Sequence, residues 1–366
     1  MNLKQSIKND KKIDELKIAI LACYSPLYDN NEINKKLINY KSKNNLFNDL
    51  INMQINEPAK EKRLINSIKS FGKIADTTSK KVRDQYEKNP YPRWRYIYKN
   101  LPSNTQTIIK SQIKPNKIEF KKKIDNPDIL VAGCGTGKSI LKAANYLNAK
   151  ILGIDLSLTS LAYAKRKVEE LGLKNINFLH ADILELKNLN KKFDIIECAG
   201  VLHHMRKPSD GLKILSELLK PHGIIQLGLY SEIARKDIIE VKEFIKKKNY
   251  KASIENIRKS RKEIYLSQGN KLIQKVFYRK DFYSISTVRD LIFHVMEHRF
   301  TLVEISKMLK NLNLEFLGFT DIRTKKKYME IFPKDTNSIS LENWHKFEKD
   351  NPESFLGMYS FCIRKK

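Results

Sequence analysis

Three glycines at alternate positions, Gly133, Gly135 and Gly137, stand between an apolar run and a helical pattern. Glycines in such a turn allow the backbone to approach a bound cofactor, because a Cβ there would collide with it. The apolar run 129–132 lacks polar alternation, which is typical of a parallel strand buried on both faces. The helical pattern follows over 139–147. This order of elements predicts a cofactor site built on a strand, a turn and a helix.

The spacing of the glycines distinguishes between cofactor classes. The dinucleotide pattern G-x-G-x-x-G fails, because its last glycine would fall on Lys138. The phosphate-binding pattern G-x-x-x-x-G-K-[ST] matches at 137–139, but Ala132 stands where its first glycine belongs. The pattern G-x-G-x-G matches at every position. A nucleoside triphosphatase is therefore disfavoured.

Two acids follow later buried runs. Asp155 ends the run 150–155, and its carboxylate can accept both hydroxyls of a ribose whose other end lies on the glycine turn. Asp182 ends the run 177–182. Each acid has the alternative role of capping a helix, since a carboxylate can accept the first free backbone N–H groups. A ligand-binding role is favoured for both, more strongly for Asp155.

Histidine and tyrosine side chains follow the next two predicted strands. His203 and His204 lie just after the fourth strand, and Tyr230 follows the fifth, at the edge where α/β sheets bind ligands. One of the histidines is a candidate general base facing the substrate. The alternative is a packed, hydrogen-bonded structural histidine.

Residues 294–298 spell H-x-x-E-H, the inverted zinc-protease pattern. The helix predicted over 288–298 would place His294 and His298 on one face. No third ligand is apparent, so no metal site is predicted. These histidines, with Glu297 or Arg299, are expected on the polar rim of a substrate site.

The run 128–230 resembles the class I S-adenosylmethionine (SAM) methyltransferases through five motifs in the family's order. These are the Gly133, Gly135, Gly137 turn, Asp155 for the ribose, Asp182 for the adenine amino group, Leu202-His203-His204, and the Leu-Lys-Pro-His-Gly turn at 219–223. The segment Asn-Pro-Tyr-Pro-Arg-Trp at 89–94 also resembles a bacterial group of these enzymes, some of them fused to tetratricopeptide repeats. No repeats are visible in this chain.

The resemblance implies SAM as cofactor and a doubly wound, Rossmann-like sheet of seven mostly parallel strands with an antiparallel last strand. It implies methyl transfer by in-line displacement to a small-molecule or protein acceptor, with an RNA acceptor or a non-catalytic SAM-binding subunit as alternatives. The implied cofactor residues are Gly133, Cys134, Gly135, Thr136, Gly137, Asp155, Leu156, Asp182, Ile183, Cys198 and Ala199. The candidate catalytic residues are His203, His204, Tyr230 and His298.

The remaining chain divides into additions around this core. Residues 1–98 are predicted to be a helical N-terminal region, with helices near 16–27, 46–55, 63–71 and 80–87. It ends in an aromatic arm at 89–95, which is either a structural staple or a lid with Arg93 or Arg95 meeting a carboxylate. The rest is predicted as a linker at 99–127, a helical substrate cap at 231–300, and a last helix and hairpin at 301–366.

Composition limits the partners of the 366-residue chain. Its net charge of +29 comes mainly from residues 1–125 and 231–366. The lysines are scattered without arginine and aromatic clustering, so we interpret the charge as compositional bias, and a nucleic-acid partner is possible but not favoured. Four cysteines without C-x-x-C spacing indicate neither a disulfide framework nor a metal site. No apolar run approaches the ~20 residues of a membrane span, no signal-peptide pattern is present, and a cytoplasmic location is expected.

Overall fold

A computed structural model describes residues 3–9, 12–97, 101–120, 122–267 and 270–366. Its centre is one sheet of eight strands in the order β1-β4-β3-β2-β5-β6-β8-β7. All neighbours are parallel except β8, which is antiparallel to both β6 and β7. The strands are β1 Lys69–Phe71, β2 Asp128–Ala132, β3 Lys150–Asp155, β4 Ile176–Ala181, β5 Phe193–Ala199, β6 Leu219–Leu229, β7 Leu314–Phe319 and β8 Tyr359–Lys365.

Seventeen α-helices surround the sheet within the described residues. They are α1 Leu3–Asn9, α2 Glu15–Tyr24, α3 Asn31–Leu37, α4 Asn45–Ile51, α5 Glu57–Ile65, α6 Thr77–Lys88, α7 Thr105–Ile113, α8 Lys138–Ala143, α9 Leu158–Glu170, α10 Pro208–Glu217, α11 Lys236–Lys247, α12 Ile254–Leu266, α13 Lys271–Lys275, α14 Ile285–Phe293, α15 Leu302–Asn311, α16 Ile322–Ile331 and α17 Leu341–Asp350. Helices cover both faces of the strands, which explains why β2 is almost wholly apolar.

The order of the strands creates a switch point between β2 and β5. From β2 the chain runs outward to β3 and β4, and it then returns across the sheet to β5 and β6. The carboxyl ends of these parallel strands open a crevice at that point, where doubly wound sheets bind ligands. The predicted fold class, a doubly wound sheet with an antiparallel last strand, is confirmed.

The strand count of seven is corrected to eight. Residues 63–71, predicted as a helix, divide between the end of α5 and the short strand β1. Strand β1 pairs in parallel with β4, with Lys69 opposite Leu179. Three residues are too few to show a strand periodicity, so this pairing depends on a partner more than 100 residues away.

The segment 99–127, predicted as a linker, contains helix α7. Ile109 and Ile113 of this helix are fully buried in the core, and the side chain of Asn116 donates to the carbonyl oxygen of Leu317 in β7 at 2.9 Å. The segment therefore packs on the sheet. The prolines and lysines on either side of this nine-residue amphipathic helix led to the prediction of a linker.

The N-terminal helices have an apolar cluster of their own and are joined to the core by an ion network. Arg166 of α9 is 1% exposed, and its guanidinium contacts Glu57, Glu61 and Glu170 at 3.1, 2.8 and 2.5 Å. A buried arginine must be paired, because an unpaired charge in the interior is costly. This network fixes α5 against α9.

The segment 231–300, predicted as a helical substrate cap, contains helices α11 to α14 packed around another apolar cluster, which includes Ile238, Val241, Ile257 and Val288. Its last helix, α14, ends at Phe293, five residues before the predicted end. The backbone N–H of Val295 donates instead to the side chain of Gln85 in α6, at 3.2 Å. No helix among the described residues is long and apolar enough to cross a membrane.

Candidate functional site

A cavity of about 1050 Å³ lies at the carboxyl ends of the parallel strands. It is at the upper end of the ~300–1,000 Å³ typical of small-molecule sites, so it has room for a cofactor and part of a second molecule. One part, which we call the glycine half, is lined by Gly133, Cys134, Gly135, Asp155, Leu156, Asp182, Ile183, Ala199 and Gly200. The other, the insertion half, is lined by Tyr86, Tyr91, His204, Tyr230, Asp281 and Asp290 among others.

The glycine turn is closely packed. Gly133, Gly135 and Gly137 have φ values of +71°, +50° and +89°. A Cβ on Gly133 would lie 2.4 Å from Cγ2 of Val201, and a Cβ on Gly137 would lie 2.9 Å from Cβ of Ala164. Only glycine satisfies both the backbone conformation and these contacts. The turn thereby presents backbone to the cavity at the switch point.

The Asp155 carboxylate is fixed by backbone donors. Oδ2 accepts from the N–H of Gly135 at 2.8 Å, and Oδ1 accepts from the N–H of Ser157 at 2.9 Å. Each oxygen keeps one lone-pair site, which suits the two hydroxyls of a ribose. Helix α9 is capped by Ser157, whose side chain accepts from Ser160, so Asp155 is not the N-cap. Burial raises the pKa of Asp155 to about 6, and the two backbone donors oppose this rise.

Asp182 caps a short helix and also lines the cavity. Its Oδ1 accepts from the N–H of Leu184 at 3.0 Å and caps the short 3-10 helix Ile183–Asn188. The residue is 3% exposed and lines the cavity, with Ile183 beside it. Burial raises the pKa of the Asp182 carboxyl group.

The aromatic arm covers the glycine turn. The Thr136 hydroxyl donates to the carbonyl oxygen of Pro92, and the indole N–H of Trp94 donates to the carbonyl oxygen of Thr136 at 3.1 Å. The Tyr163 hydroxyl donates to the carbonyl oxygen of Trp94. Arg95 meets a carboxylate, but that carboxylate is Asp49 of α4. The arm thus links the N-terminal helices to the core and also covers the glycine turn.

The two neighbouring histidines differ in environment. His203 is fully buried, does not line the cavity, and neither ring nitrogen has a hydrogen-bond partner. Its ring stacks on Tyr230 with centroids 3.8 Å apart. Desolvation lowers the pKa of His203 well below its usual value, so the ring is neutral. His203 therefore packs against the Tyr230 ring from outside the cavity.

His204 lines the cavity. Its Nδ1 lies 2.6 Å from the carbonyl oxygen of Met296, so Nδ1 carries the proton and Nε2 bears a lone pair. Its ring stacks on His294 with centroids 3.6 Å apart. Burial lowers the pKa of His204 to about 4. The side chain presents a neutral hydrogen-bond acceptor.

Residues 294–298 lie beyond α14, so the prediction that His294 and His298 share a helix face is wrong. Glu297 is 3% exposed at its side chain and is held by Arg235 at 3.0 Å and Lys242 at 2.9 Å. The negative charge of this buried carboxylate is already compensated by the two cations, so it needs no metal ion as a partner. His298 does not line the cavity.

Two tyrosine–aspartate pairs in the insertion half were not among the predicted site residues. The Tyr86 hydroxyl donates to Asp290 at 2.6 Å, and the Tyr91 hydroxyl donates to Asp281 at 3.0 Å. The partners of the first pair are 204 residues apart in the chain. Sequence spacing carries no signal for such a contact, although Tyr91 belongs to the aromatic arm predicted at 89–95.

Most predicted cofactor residues meet at the glycine half. Those that line the cavity are Gly133, Cys134, Gly135, Asp155, Leu156, Asp182, Ile183 and Ala199. Thr136, Gly137 and Cys198 do not line it. Thr136 and Gly137 shape the turn, and Cys198 is fully buried in β5. Of the candidate catalytic residues, only His204 and Tyr230 line the cavity.

A doubly wound sheet with a glycine turn at its switch point and acids after β3 and β4 is typical of Rossmann-like domains that bind nucleotide cofactors. A family model described as a methyltransferase domain matches residues 125–332, more than half of the chain. The chain therefore belongs to this family. The resemblance to class I SAM-dependent methyltransferases is confirmed, and with it SAM as the cofactor of the family.

The chain is similar to several proteins from bacteria. An uncharacterised protein of Synechococcus is 28% identical over 283 residues, which cover 69% of this chain and 62% of that protein. An uncharacterised protein of Rickettsia prowazekii is 33% identical over 143 residues, 38% of this chain and 54% of that protein. The structure of PKMT2 from Rickettsia typhi in complex with AdoHcy aligns with a TM-score of 0.55 at 19% identity, over 76% of this chain and 55% of that chain.

The structural similarity at this level of identity supports the fold alone. The matched region spans between half and two thirds of the length of these three proteins.

Proposed function

We propose that this chain binds SAM in the glycine half of the cavity and transfers its methyl group to an acceptor held in the insertion half. The observation that carries the proposal is the position of Asp155, whose two oxygens are oriented by backbone donors beside the glycine turn. The family match and the AdoHcy complex of the similar Rickettsia typhi protein support the same cofactor.

The residues of the glycine half suit each part of SAM. The closely packed turn at Gly133–Gly135 leaves backbone facing the methionine portion, and Asp155 offers two acceptor positions for the ribose hydroxyls. Asp182 keeps acceptor capacity for the adenine amino group beside Ile183. When bound, SAM supplies a methyl group on a positively charged sulfur.

Catalysis by this chain depends mainly on placement. An in-line displacement needs the acceptor atom about 3–3.5 Å from the methyl carbon and opposite the leaving sulfur. Tyr91 connects the two halves. Its backbone oxygen would lie 3.2 Å from a Cβ atom added to Gly135, and its hydroxyl donates to Asp281. The arm and the insertion thus shield this junction from water and orient the acceptor. A small molecule or a protein side chain is the proposed acceptor.

The test is transfer of label from methyl-labelled SAM to a fractionated cell extract, with and without protease and ribonuclease. We expect labelled product that Asp155→Ala reduces. Label lost on protease treatment identifies a protein acceptor, and label lost on ribonuclease treatment identifies RNA. Absence of label with SAM binding intact would contradict methyl transfer and favour a non-catalytic SAM-binding subunit.

A further inference from the structure

Tyr86, Tyr91, His204, Asp281 and Asp290 of the insertion half all offer hydrogen-bond acceptors to the cavity. The Tyr86 and Tyr91 hydroxyl protons are already donated to Asp290 and Asp281, and the Tyr86 oxygen also lies 3.2 Å from Nε2 of His294. Toward a ligand, both phenol oxygens can therefore only accept. The two carboxylates have acceptor capacity beyond these bonds. No lysine or arginine of the described chain forms an ion pair with Asp281 or Asp290.

His204 adds an independent acceptor. It is 7% exposed, it lines the cavity, and its Nδ1 proton is used by Met296. Its Nε2 has no hydrogen-bond partner within the part of the chain that the structure describes. Because His204 lines the cavity, a ligand or a water molecule there can bind this nitrogen. The binding group must be a donor, because Nε2 bears a lone pair.

The arginines near this half direct their donors elsewhere. Arg279 donates to Asp237 and to the carbonyl oxygens of Ala234 and Leu356. Arg235 donates to Glu297, and its guanidinium lies 3.7 Å over the Tyr230 ring. The other cations on the cavity wall, Lys236, Lys275 and Lys280 near this half and Lys138 after the glycine turn, are exposed side chains. An anionic group in the insertion half would therefore meet two carboxylates and find few free donors.

We propose that the insertion half binds an alkyl amine, with Asp281, Asp290 and His204 receiving its N–H groups. An ammonium nitrogen has three donors and no acceptor, which complements this lining, whereas a carboxylate or phosphate does not. The inference rests on the proposed methyl transfer and names its acceptor class. Both a small alkyl amine and a lysine side chain have this chemistry.

The ammonium first gives one proton to a carboxylate of the Asp281 and Asp290 pair, and this proton later leaves to solvent. The neutral nitrogen then forms a bond to the methyl carbon while the carbon–sulfur bond breaks and its electron pair stays on sulfur. Burial raises the pKa of Asp290 to about 6, so its carboxylate is ionised at neutral pH and can attract the cation.

The test is calorimetric titration of the full chain, saturated with S-adenosylhomocysteine at pH 7.5, with three probes of equal length: n-butylammonium, n-butanol and butyrate. We expect n-butylammonium to bind at least ten times more tightly than n-butanol, and butyrate to give no saturable heat. Asp281→Asn and Asp290→Asn should each weaken n-butylammonium about tenfold. Asp84→Asn, an exposed position on α6, is the matched control and should have no effect.

Equal affinity for n-butanol or butyrate, or no saturable heat with n-butylammonium, would overturn the proposal. The chain is also titrated with S-adenosylhomocysteine alone, so a failure of cofactor binding is detected separately and counts against the proposed function. In the labelled extract, methyl groups on nitrogen support the proposal, in methylated lysine after protein hydrolysis or in small amines. Label on oxygen or in base-labile esters contradicts it.

Discussion

The glycine half of the cavity is built around a closely packed backbone turn, and the insertion half is built from tyrosine, aspartate and histidine side chains. In the glycine half, the turn after β2 and the acids after β3 and β4 come from about fifty consecutive residues. In the insertion half, α6, the residue after β6 and α14 contribute side chains, and Tyr86 and Asp290 are 204 positions apart. A closely packed backbone turn tolerates few substitutions, whereas the side chains of the insertion half can be substituted one at a time. The cofactor site and the acceptor site should therefore respond differently to substitution.

The largest effect is expected at the glycine turn. Gly133→Ala should weaken S-adenosylhomocysteine binding at least ~100-fold, because displacement of the turn by about 1 Å has effects of that size. Its Cβ would lie 2.4 Å from Val201. Gly172→Ala is the matched control, because its φ of +63° is similar but nothing lies within 4 Å of its Cβ. Calorimetry should show unchanged affinity for this control, and equal losses for both variants would contradict the close-approach argument.

Asp155→Ala should have the next largest effect on the cofactor. Losing hydrogen bonds to a ribose costs about 1–3 kcal/mol, which is roughly a 5- to 150-fold loss in affinity for S-adenosylhomocysteine. Asp290→Asn, in the insertion half, should leave this affinity unchanged. Similar losses for the two variants in the same titration would show that the halves are not separable.

The adjacent histidines provide a smaller contrast within the insertion half. His204→Ala should slow methyl transfer about tenfold, which corresponds to one lost hydrogen bond of ~1–1.5 kcal/mol, with cofactor affinity unchanged. His203→Leu should not slow transfer, because His203 lies outside the cavity. It should also keep or raise the melting temperature, since two unpaired buried nitrogens are removed. Slower transfer in His203→Leu than in His204→Ala would reverse these assignments.

The smallest effect is expected from pH. The charged groups around Asp290 are Asp281 and Glu297, which raise its pKa, and Arg235, which lowers it, while the Tyr86 hydroxyl donates to it. With burial, the pKa of Asp290 is about 6, so the carboxylate loses its charge as pH falls through this value. The affinity for n-butylammonium should decrease severalfold between pH 7.5 and 5 when S-adenosylhomocysteine is saturating. A similar decrease in Asp290→Asn would assign the effect to another group.

Local signals explain which part of the site could be predicted. The glycine turn, Asp155 and Asp182 each follow a buried strand directly, so their positions at the sheet edge come from short-range sequence alone. Asp290 gave no such signal, because its role depends on the contact with Tyr86 from a distant helix. The sequence predicted a functional role for the two histidines without distinguishing them. In the structure they differ in burial, and of the two only His204 lines the cavity.

Tertiary contacts also explain the errors in the predicted elements. The end of the helix predicted over 288–298 is changed by Gln85, whose side chain accepts the Val295 N–H and holds the chain in an extended path. Strand β1 exists because β4 offers a free edge to residues 69–71. Helix α7 was not predicted, because prolines and lysines flank it. Its isoleucines at positions 109 and 113 are nevertheless spaced four apart, as one helix face requires.

The most direct test of the account is a crossed titration of three proteins, wild type, Asp155→Ala and Asp290→Asn, with S-adenosylhomocysteine and with n-butylammonium. We expect Asp155→Ala to weaken binding of S-adenosylhomocysteine and Asp290→Asn to weaken binding of n-butylammonium, with each variant retaining wild-type affinity for the other ligand. A wild-type protein that binds neither ligand, or variants that weaken both ligands equally, would contradict a cofactor in the glycine half and an amine acceptor in the insertion half.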